Sequence, residues 1–275
     1  MAESIVVFGN CQAGSIGQAI QGLPALHHSR YVYVPSFNIT PEQVDALLTD
    51  EVRKGCTLLF EQVMPHTALD AKYDFPNARR ITFASLDLNL FWPLRADEKR
   101  FIPEPPVHPF GRYPYGDRVI NEILADNLAG DDAWDYYTRR SASLMPRFDR
   151  LWMIERERWL GIEKTVDVKM SDLVFPRIRH ERLFWTYNHP NRLMLCYFGG
   201  RILQAAGLLP PDDERARDLM LQWLTWEFGA DYHQPIHPLV GAGFELSWWS
   251  SNMLYRRIDV DWSFETFVRN QISWG

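Results

Sequence analysis

Apolar and polar positions follow two different periods along this chain, and the change from one to the other divides it. The run SIVVF (Ser4–Phe8) is β-branched and unbroken, as a central parallel strand buried on both faces requires. It stops at Gly9-Asn10. Ile16, Ala19 and Ile20 then recur at helical spacing, and Gly22 makes a stop. YVYV (Tyr31–Val34) predicts a second strand ending at Pro35. Thr40, Pro41 and Gln43 have the form of a capping box with proline at the first helical position. Val44, Leu47, Leu48 and Val52 mark one face of a single helix that Gly55 ends. TLLFEQV (Thr57–Val63) and RITFA (Arg80–Ala84) predict the third and fourth strands. This β-α-β-α-β order implies right-handed crossovers and an α/β fold, a parallel sheet with helices on both faces.

After Asp87 the character changes. Residues 92–116 hold Pro93, Pro103, Pro105, Pro106, Pro109 and Pro114, which argues against regular structure over a long segment. Loops of that length in a compact chain usually cover or bind something. Beyond it the spacing is helical. Val119, Ile120, Ile123, Leu124 and Leu128 form one stripe, and Phe148, Leu151, Trp152 and Trp159 another. A further helix is expected from Asn191 to about Gly207, with Leu193, Tyr197 and Leu203 inward. The last opens at Asp212-Asp213-Glu214, acids suited to the positive end of a helix, and turns Leu219, Met220, Trp223 and Leu224 inward. The expected organisation is an α/β part over 1–90, a Pro-rich cover loop over 91–118 and a mostly α-helical part over 119–275, packed as one integrated domain.

Composition narrows the function classes. The chain has 275 residues and a net charge of −6, which argues against a general nucleic-acid binder. Aromatics make up 14% and include 11 Trp, most of them after Phe91, enough for a thick core and the wall of a ligand channel. The start, MAESIVVFGN, does not have the form of a secretory signal. No stretch approaches the ~20 apolar residues of a membrane span. The cysteines Cys11, Cys56 and Cys196 are odd in number and widely spaced, which fits neither a disulfide framework nor zinc. A cytoplasmic protein with reduced thiols is the expectation.

Candidate chemistry begins at Gly9-Asn10-Cys11-Gln12, after strand one and at the start of helix one. Ligands of open parallel sheets bind outside the carboxyl ends of the strands. A thiol at a helix N-terminus is expected to have a lowered pKa, and the amides of such a turn can face an oxyanion. Gly9 and Gly14 have the Walker spacing, but Ser15 stands where the lysine should be, so a P-loop is rejected. Glu61-Gln62, at the end of strand three, shares the crevice if strands one and three are neighbours. Arg179, Arg182, His189 and Arg192 then surround an aromatic core just before a helix. Asn188 or Asn191 can cap that helix, and its amides with the arginines suit phosphate. Lys169, Arg177 and His180 extend this basic lip. His189 is a candidate general base. In HPFGRYPYGDR (His108–Arg118), Arg112 and tyrosines such as Tyr115 can cover a ligand or seal the core. His233 and His237 are four apart, but two prolines prevent the helical zinc pair, so no metal is expected.

GNCQ after strand one, Gln62, the LFWTYNHPN segment and the later IHPLV together resemble the WcbI-type family of polysaccharide biosynthesis acetyltransferases found in bacterial capsule clusters. The family is similar in strategy to SGNH hydrolases, with the nucleophile just after strand one of a Rossmann-like α/β scaffold. The resemblance implies coenzyme A or acetyl-CoA as co-substrate and a saccharide hydroxyl as acyl acceptor. It makes Cys11 the nucleophile or catalytic thiol and His189 the base. Asn10, the Gln12 amide and Gln62 become oxyanion or acyl-positioning groups, and Glu61 and Asp117 are both open as the group orienting His189. It leaves open whether Cys11 carries the acyl group or positions the thioester. An ester or thioester hydrolase on the same scaffold and a non-catalytic coenzyme A- or anion-binding protein are the alternatives.

Overall fold

Ser4–Gly9 forms strand β1, and every one of its residues is buried, because parallel strands in the middle of a sheet meet helices on both faces. The computed structural model describes residues 3–63, 69, 72–97, 115–225, 227 and 229–273. Most of the Pro-rich cover loop, Arg112 included, lies outside the described residues. The chain divides into two units. The first comprises Met1–Asp87, Arg156–Pro176 and Asn188–Gly229, and the second Leu88–Glu155, Arg177–Tyr187 and Ala230–Gly275.

In the first unit β1 is followed by helix α1 (Cys11–Gln21), strand β2 (Arg30–Pro35), helices α2 (Pro41–Leu47) and α3 (Asp50–Gly55), and strands β3 (Cys56–Val63) and β4 (Arg79–Ala84). The four strands are parallel in the order β2-β1-β3-β4, so β1 and β3 are neighbours. Side chains of a strand alternate between faces. Val6 and Phe8 of β1 join Val32, Val34 and Leu59 under Leu48 and Val52 on the α2–α3 side. Ile5 and Val7 face the other way, toward α1 and the helix Arg192–Ala205, where Phe83 of β4 meets Phe198 edge-to-face with ring centroids 5.5 Å apart.

The capping box forms as the sequence requires: Gln43 N donates to Thr40 Oγ1 at 3.3 Å and Thr40 N to Gln43 Oε1 at 2.8 Å. The single helix expected to run to Gly55 is instead two. Thr49 Oγ1 accepts Val52 N–H at 3.4 Å and starts α3, which breaks the ladder after Leu47. Helix Arg192–Ala205 is capped by Asn191, whose side chain accepts from Met194 N–H. It is buried around most of its circumference from Met194 to Leu203, rather than along one stripe, and Leu193 is only half-buried. Asp212 caps the helix Asp213–Trp223.

The second unit is mainly helical. Arg118–Ala125, Gly130–Leu144 and Phe264–Ser273 close on a core of Leu94, Val119, Ile120, Ile123, Tyr137, Val268 and Ile272. A separate aromatic cluster centres on Phe91 and Phe244, which touch Trp92, Phe148, Trp152 and Trp248 at centroid distances of 5.0–6.1 Å. Tryptophans of this unit therefore build core. Among the described residues no helix is long and apolar enough to cross a membrane.

Candidate active site at the carboxyl edge of the sheet

The site starts from a constraint at Gly9. Its φ is +154°, and a Cβ there would lie 2.6 Å from both Ala13 Cβ and Gln62 Oε1. Only glycine lets β1 turn into α1 this tightly against β3. Asn10 follows as the N-cap of α1, its Oδ1 accepting Gln12 N–H at 2.9 Å. Its own backbone N–H donates to Gln62 Oε1 at 2.7 Å, and its Nδ2 to Ser85 Oγ at 3.2 Å. Tyr33 Oη, from β2, lies 3.1 Å from Gly9 O and 2.9 Å from Asn10 O and donates to this pair of carbonyls. The turn is thus held by groups from β2, β3 and the end of β4.

Cys11 opens α1 and is half-buried. Burial raises its thiol pKa, and the hydrogen bonds from the helix-start amides of Gln12 and Cys11 pull it down by less. The helix start acts in the direction expected from the sequence, but desolvation outweighs it, so the thiol is neutral near pH 7. Cys56 and Cys196 are buried, and desolvation pushes them to about 11 and about 12.

Gln12 is buried and engages every donor it has. Its Nε2 donates to Leu86 O and to Asn188 O, both at 2.8 Å, and its backbone N–H is bound to Asn10. The Gln12 amide expected to face an oxyanion is therefore a clamp that ties the start of α1 to the segment carrying His189. Gln62, fully buried, has its Oε1 on Asn10, while its Nε2 has no hydrogen-bond partner among the described residues. Strand alternation places Gln62 on the α1 face, in register with Phe83, and Glu61 on the opposite face. There Glu61 pairs with Arg80 and accepts Leu69 N–H, so its carboxylate is committed away from Cys11. Asp117, the other acid considered, caps the helix Arg118–Ala125 in the second unit and accepts Tyr137 Oη–H at 3.1 Å. Burial pushes its pKa up to about 6.

His189 is buried, one residue beyond the Asn188 carbonyl that Gln12 holds, and Gly229 packs against its Cβ. Desolvation lowers its pKa to about 4, so the imidazole is neutral at pH 7 and able to accept a proton. Hydrogen bonds thus join Asn10, Gln12, Gln62 and the Asn188 carbonyl into one framework of the first unit, in which Cys11 follows Asn10 and His189 follows Asn188 in the chain. Ser85, Leu86 and Tyr33 belong to it as well; sequence reading did not find them, because Ser85 and Tyr33 act through single hydroxyls that no motif marks and Leu86 through its backbone.

The expected phosphate ligands are distributed differently. Arg192 donates from Nε to Leu224 O and from Nη2 to Leu221 O, both at 2.7 Å, closing the C-terminus of the helix Asp213–Trp223. Lys169 is exposed. Arg179 and Arg182 are in the second unit, their guanidiniums over the rings of Trp152 at 4.4 Å and Trp185 at 4.5 Å. Desolvation lowers the Arg182 pKa to about 10. Tyr115 is in the second unit too, edge-on to Tyr187 at 5.6 Å. Among the described residues no group of three or more His, Cys, Asp and Glu is placed to hold a metal ion.

A solved structure of WcbI, a novel polysaccharide biosynthesis enzyme, in its native form without a disulfide bond between CoA and a cysteine, has the same fold. It matches at a TM-score of 0.74 and 18% identity, over 100% of this chain and 90% of that one. No curated protein matches this sequence. The model of the family described as polysaccharide biosynthesis enzyme WcbI matches residues 4–211, from β1 past His189. This chain belongs to the WcbI family of polysaccharide biosynthesis enzymes.

Proposed function

We propose that this protein is an acyl-CoA-dependent O-acyltransferase that moves an acetyl group onto a hydroxyl of a sugar or polysaccharide precursor. The observation carrying the reading is the Gln12 clamp, which ties the helix start that bears the half-buried Cys11 to the segment that bears the neutral His189. The coenzyme A named for the WcbI structure supports a thioester as donor.

In this reading Cys11 Sγ attacks the thioester carbonyl as His189 takes the thiol proton. An Sγ–C bond forms, the C–S bond to coenzyme A breaks, and the proton passes to the departing thiolate. The sugar hydroxyl then attacks the acyl-Cys, its proton going to His189 and returning to Sγ. A raised thiol pKa opposite a lowered imidazole pKa makes the free thiolate–imidazolium pair costly, at about 1.4 kcal/mol per pH unit of mismatch. Proton transfer therefore accompanies bond formation instead of preceding it. Gln62 Nε2 and the Cys11 N–H at the helix start are the donors for the oxyanion. Lys169 is the cation that the first unit offers to the phosphates, with Asn188 beside the donor; Arg192 retains its Nη1 alone for them, and Arg179, Arg182 and Tyr115 belong to the second unit. The protein works in the cytoplasm, where thiols stay reduced.

The test is Cys11→Ala assayed with acetyl-CoA and saccharide acceptors. Transfer should vanish while coenzyme A still raises the melting temperature. Retained turnover removes Cys11 from the chemistry. Rapid thiol release from acetyl-CoA without any sugar favours the hydrolase.

A further inference from the structure

We propose that the Tyr33 hydroxyl is the hydrogen-bond donor that Cys11 Sγ meets when the sulfur carries negative charge; the assignment rests on the acyltransferase reading. The Tyr33 proton is surplus to the fold. Its Oη donates to Gly9 O and Asn10 O at 3.1 and 2.9 Å, yet each carbonyl already has a backbone donor. Gly9 O accepts Ser36 N–H at 2.9 Å, and Asn10 O accepts Gly14 N–H at 3.0 Å in the first turn of α1. A hydroxyl rotates about its C–O bond, so this one can leave both carbonyls without orphaning either.

Helix α1 is open along one face. Cys11 and Gly14 are half-buried and Gln18 is exposed, while the other residues from 11 to 18 are buried. Positions 11, 14 and 18 follow the helical repeat and so lie in one row. Tyr33 stands on that row: a Cβ at Gly14 would lie 3.1 Å from both its Oη and its Cζ. Tyr31, on the same side of β2, packs on Gly17 instead, farther along α1. Burial, and after it the charge of Cys11, push the Tyr33 hydroxyl up to about 12, so it stays protonated as a thiolate forms beside it. The sulfur needs such a donor, since the helix-start amides do not offset its desolvation.

The donor serves the step in which sulfur leaves. As the sugar oxygen attacks the acyl-Cys, the C–Sγ bond breaks and its electron pair stays on Sγ. Tyr33 O–H turns from the two carbonyls to that sulfur and keeps its own proton. The proton of the sugar hydroxyl reaches Sγ through His189.

The experiment measures alkylation of Cys11 by iodoacetamide at about pH 8, read by peptide mapping, beside acetyl transfer from acetyl-CoA. Tyr33→Phe keeps the ring over Gly14 and removes only the hydroxyl. It should slow alkylation roughly tenfold, the effect of one charge-assisted hydrogen bond. It should lower kcat about as much and leave KM for acetyl-CoA unchanged, because the contact forms only with charged sulfur. Tyr31→Phe removes a hydroxyl from the same strand and should leave both rates at the wild-type value. Replacing Tyr33 by 3-fluorotyrosine, a stronger donor of nearly the same shape, should speed alkylation. Equal alkylation of wild type and Tyr33→Phe, equal slowing in Tyr33→Phe and Tyr31→Phe, or a fluorinated protein no faster than wild type overturns the donor. If Tyr33→Phe alone slows alkylation but the wild type transfers no acyl group, the donor stands and the transferase reading falls. If the wild type transfers acetyl and Tyr33→Phe is alkylated at the wild-type rate, the donor falls and the transferase reading stands.

Discussion

The side chain of Gln12 grips the backbone of Leu86 from both sides, donating from Nε2 to its carbonyl at 2.8 Å and accepting its N–H on Oε1 at 2.9 Å. The same Nε2 also reaches the carbonyl of Asn188, which is 176 positions away in the chain. Removing the amide takes a hydrogen bond from three backbone groups, and the two of them on Leu86 are buried. Gln12→Ala is expected to cost about 3 kcal/mol in urea unfolding. Gln12→Glu should cost more, since a carboxylate would face two carbonyl oxygens. Both variants should lose transfer activity even where enough folded protein remains to assay. A Gln12→Glu protein as stable as wild type would show that the clamp does not form.

Gly9 gives a prediction with an internal control. Alanine at Gly9 meets both an unfavourable φ of +154° and contacts of 2.6 Å to Ala13 and Gln62, whereas Gly130, at φ +58°, has nothing within 4 Å of an added Cβ. Gly130→Ala should cost about 1 kcal/mol, from backbone conformation alone. Gly9→Ala should cost about 3 kcal/mol or more, because overpacking adds to the strain. Denaturant midpoints of the two variants decide it. Equal costs would remove the steric argument for the turn that holds Asn10.

The parts of this structure that could be read from the sequence are those where residue type and local geometry coincide. β1 announces itself because a strand covered on both faces must be apolar throughout, and Thr40-Pro41-x-Gln43 because a capping box is local chemistry. The break at Thr49 was hidden: Leu48 and Val52 are buried as one helix would have them, and only the Thr49 hydroxyl on Val52 N–H shows the restart. The helix Gly130–Leu144 was missed because its buried residues are Ala133, Tyr137 and Ser141, set among Asp131, Asp132, Asp135 and Arg139. Within the candidate site, Asn10, Cys11 and Gln62 are legible as residues at strand ends. Their supports are not, since Leu86 and Asn188 take part through carbonyls that every residue type carries.

The Cys11 thiol should behave as a buried thiol, despite its place at a helix start. Its raised pKa means that iodoacetamide labelling climbs with pH to beyond the ordinary thiol range near ~8.5. Cys56 and Cys196, pushed to about 11 and about 12 and buried, should stay unlabelled in the folded protein. Peptide mapping after labelling from pH 6 to pH 10 separates the three. A midpoint for Cys11 near neutrality would show that the helix start prevails over desolvation.

Stability should fall as the solution is made acidic, well before the ordinary carboxylates titrate. Desolvation lowers His189 and His237 from 6.5 to about 4, and His233 to about 3. Between pH 6.5 and about 4 the unfolded chain therefore binds protons on these imidazoles that the folded chain refuses. Stability rises with pH across that window and is lost on acidification through it. Asp117 works in the opposite sense: raised from 3.8 to about 6, it keeps its proton in the folded state where the unfolded chain has lost it, so acidification through this range favours folding. Three imidazoles against one such carboxyl leave a net loss. Urea midpoints should be lower at pH 5 than at pH 7, and His237→Gln should shrink the difference because it removes one of the three protonation sites. Replacing Asp117 with Asn should enlarge it. A midpoint that holds steady or rises from pH 7 to pH 5 would mean that the histidines titrate alike in both states, and that His189 is not held in the buried, neutral form on which its role as proton acceptor depends.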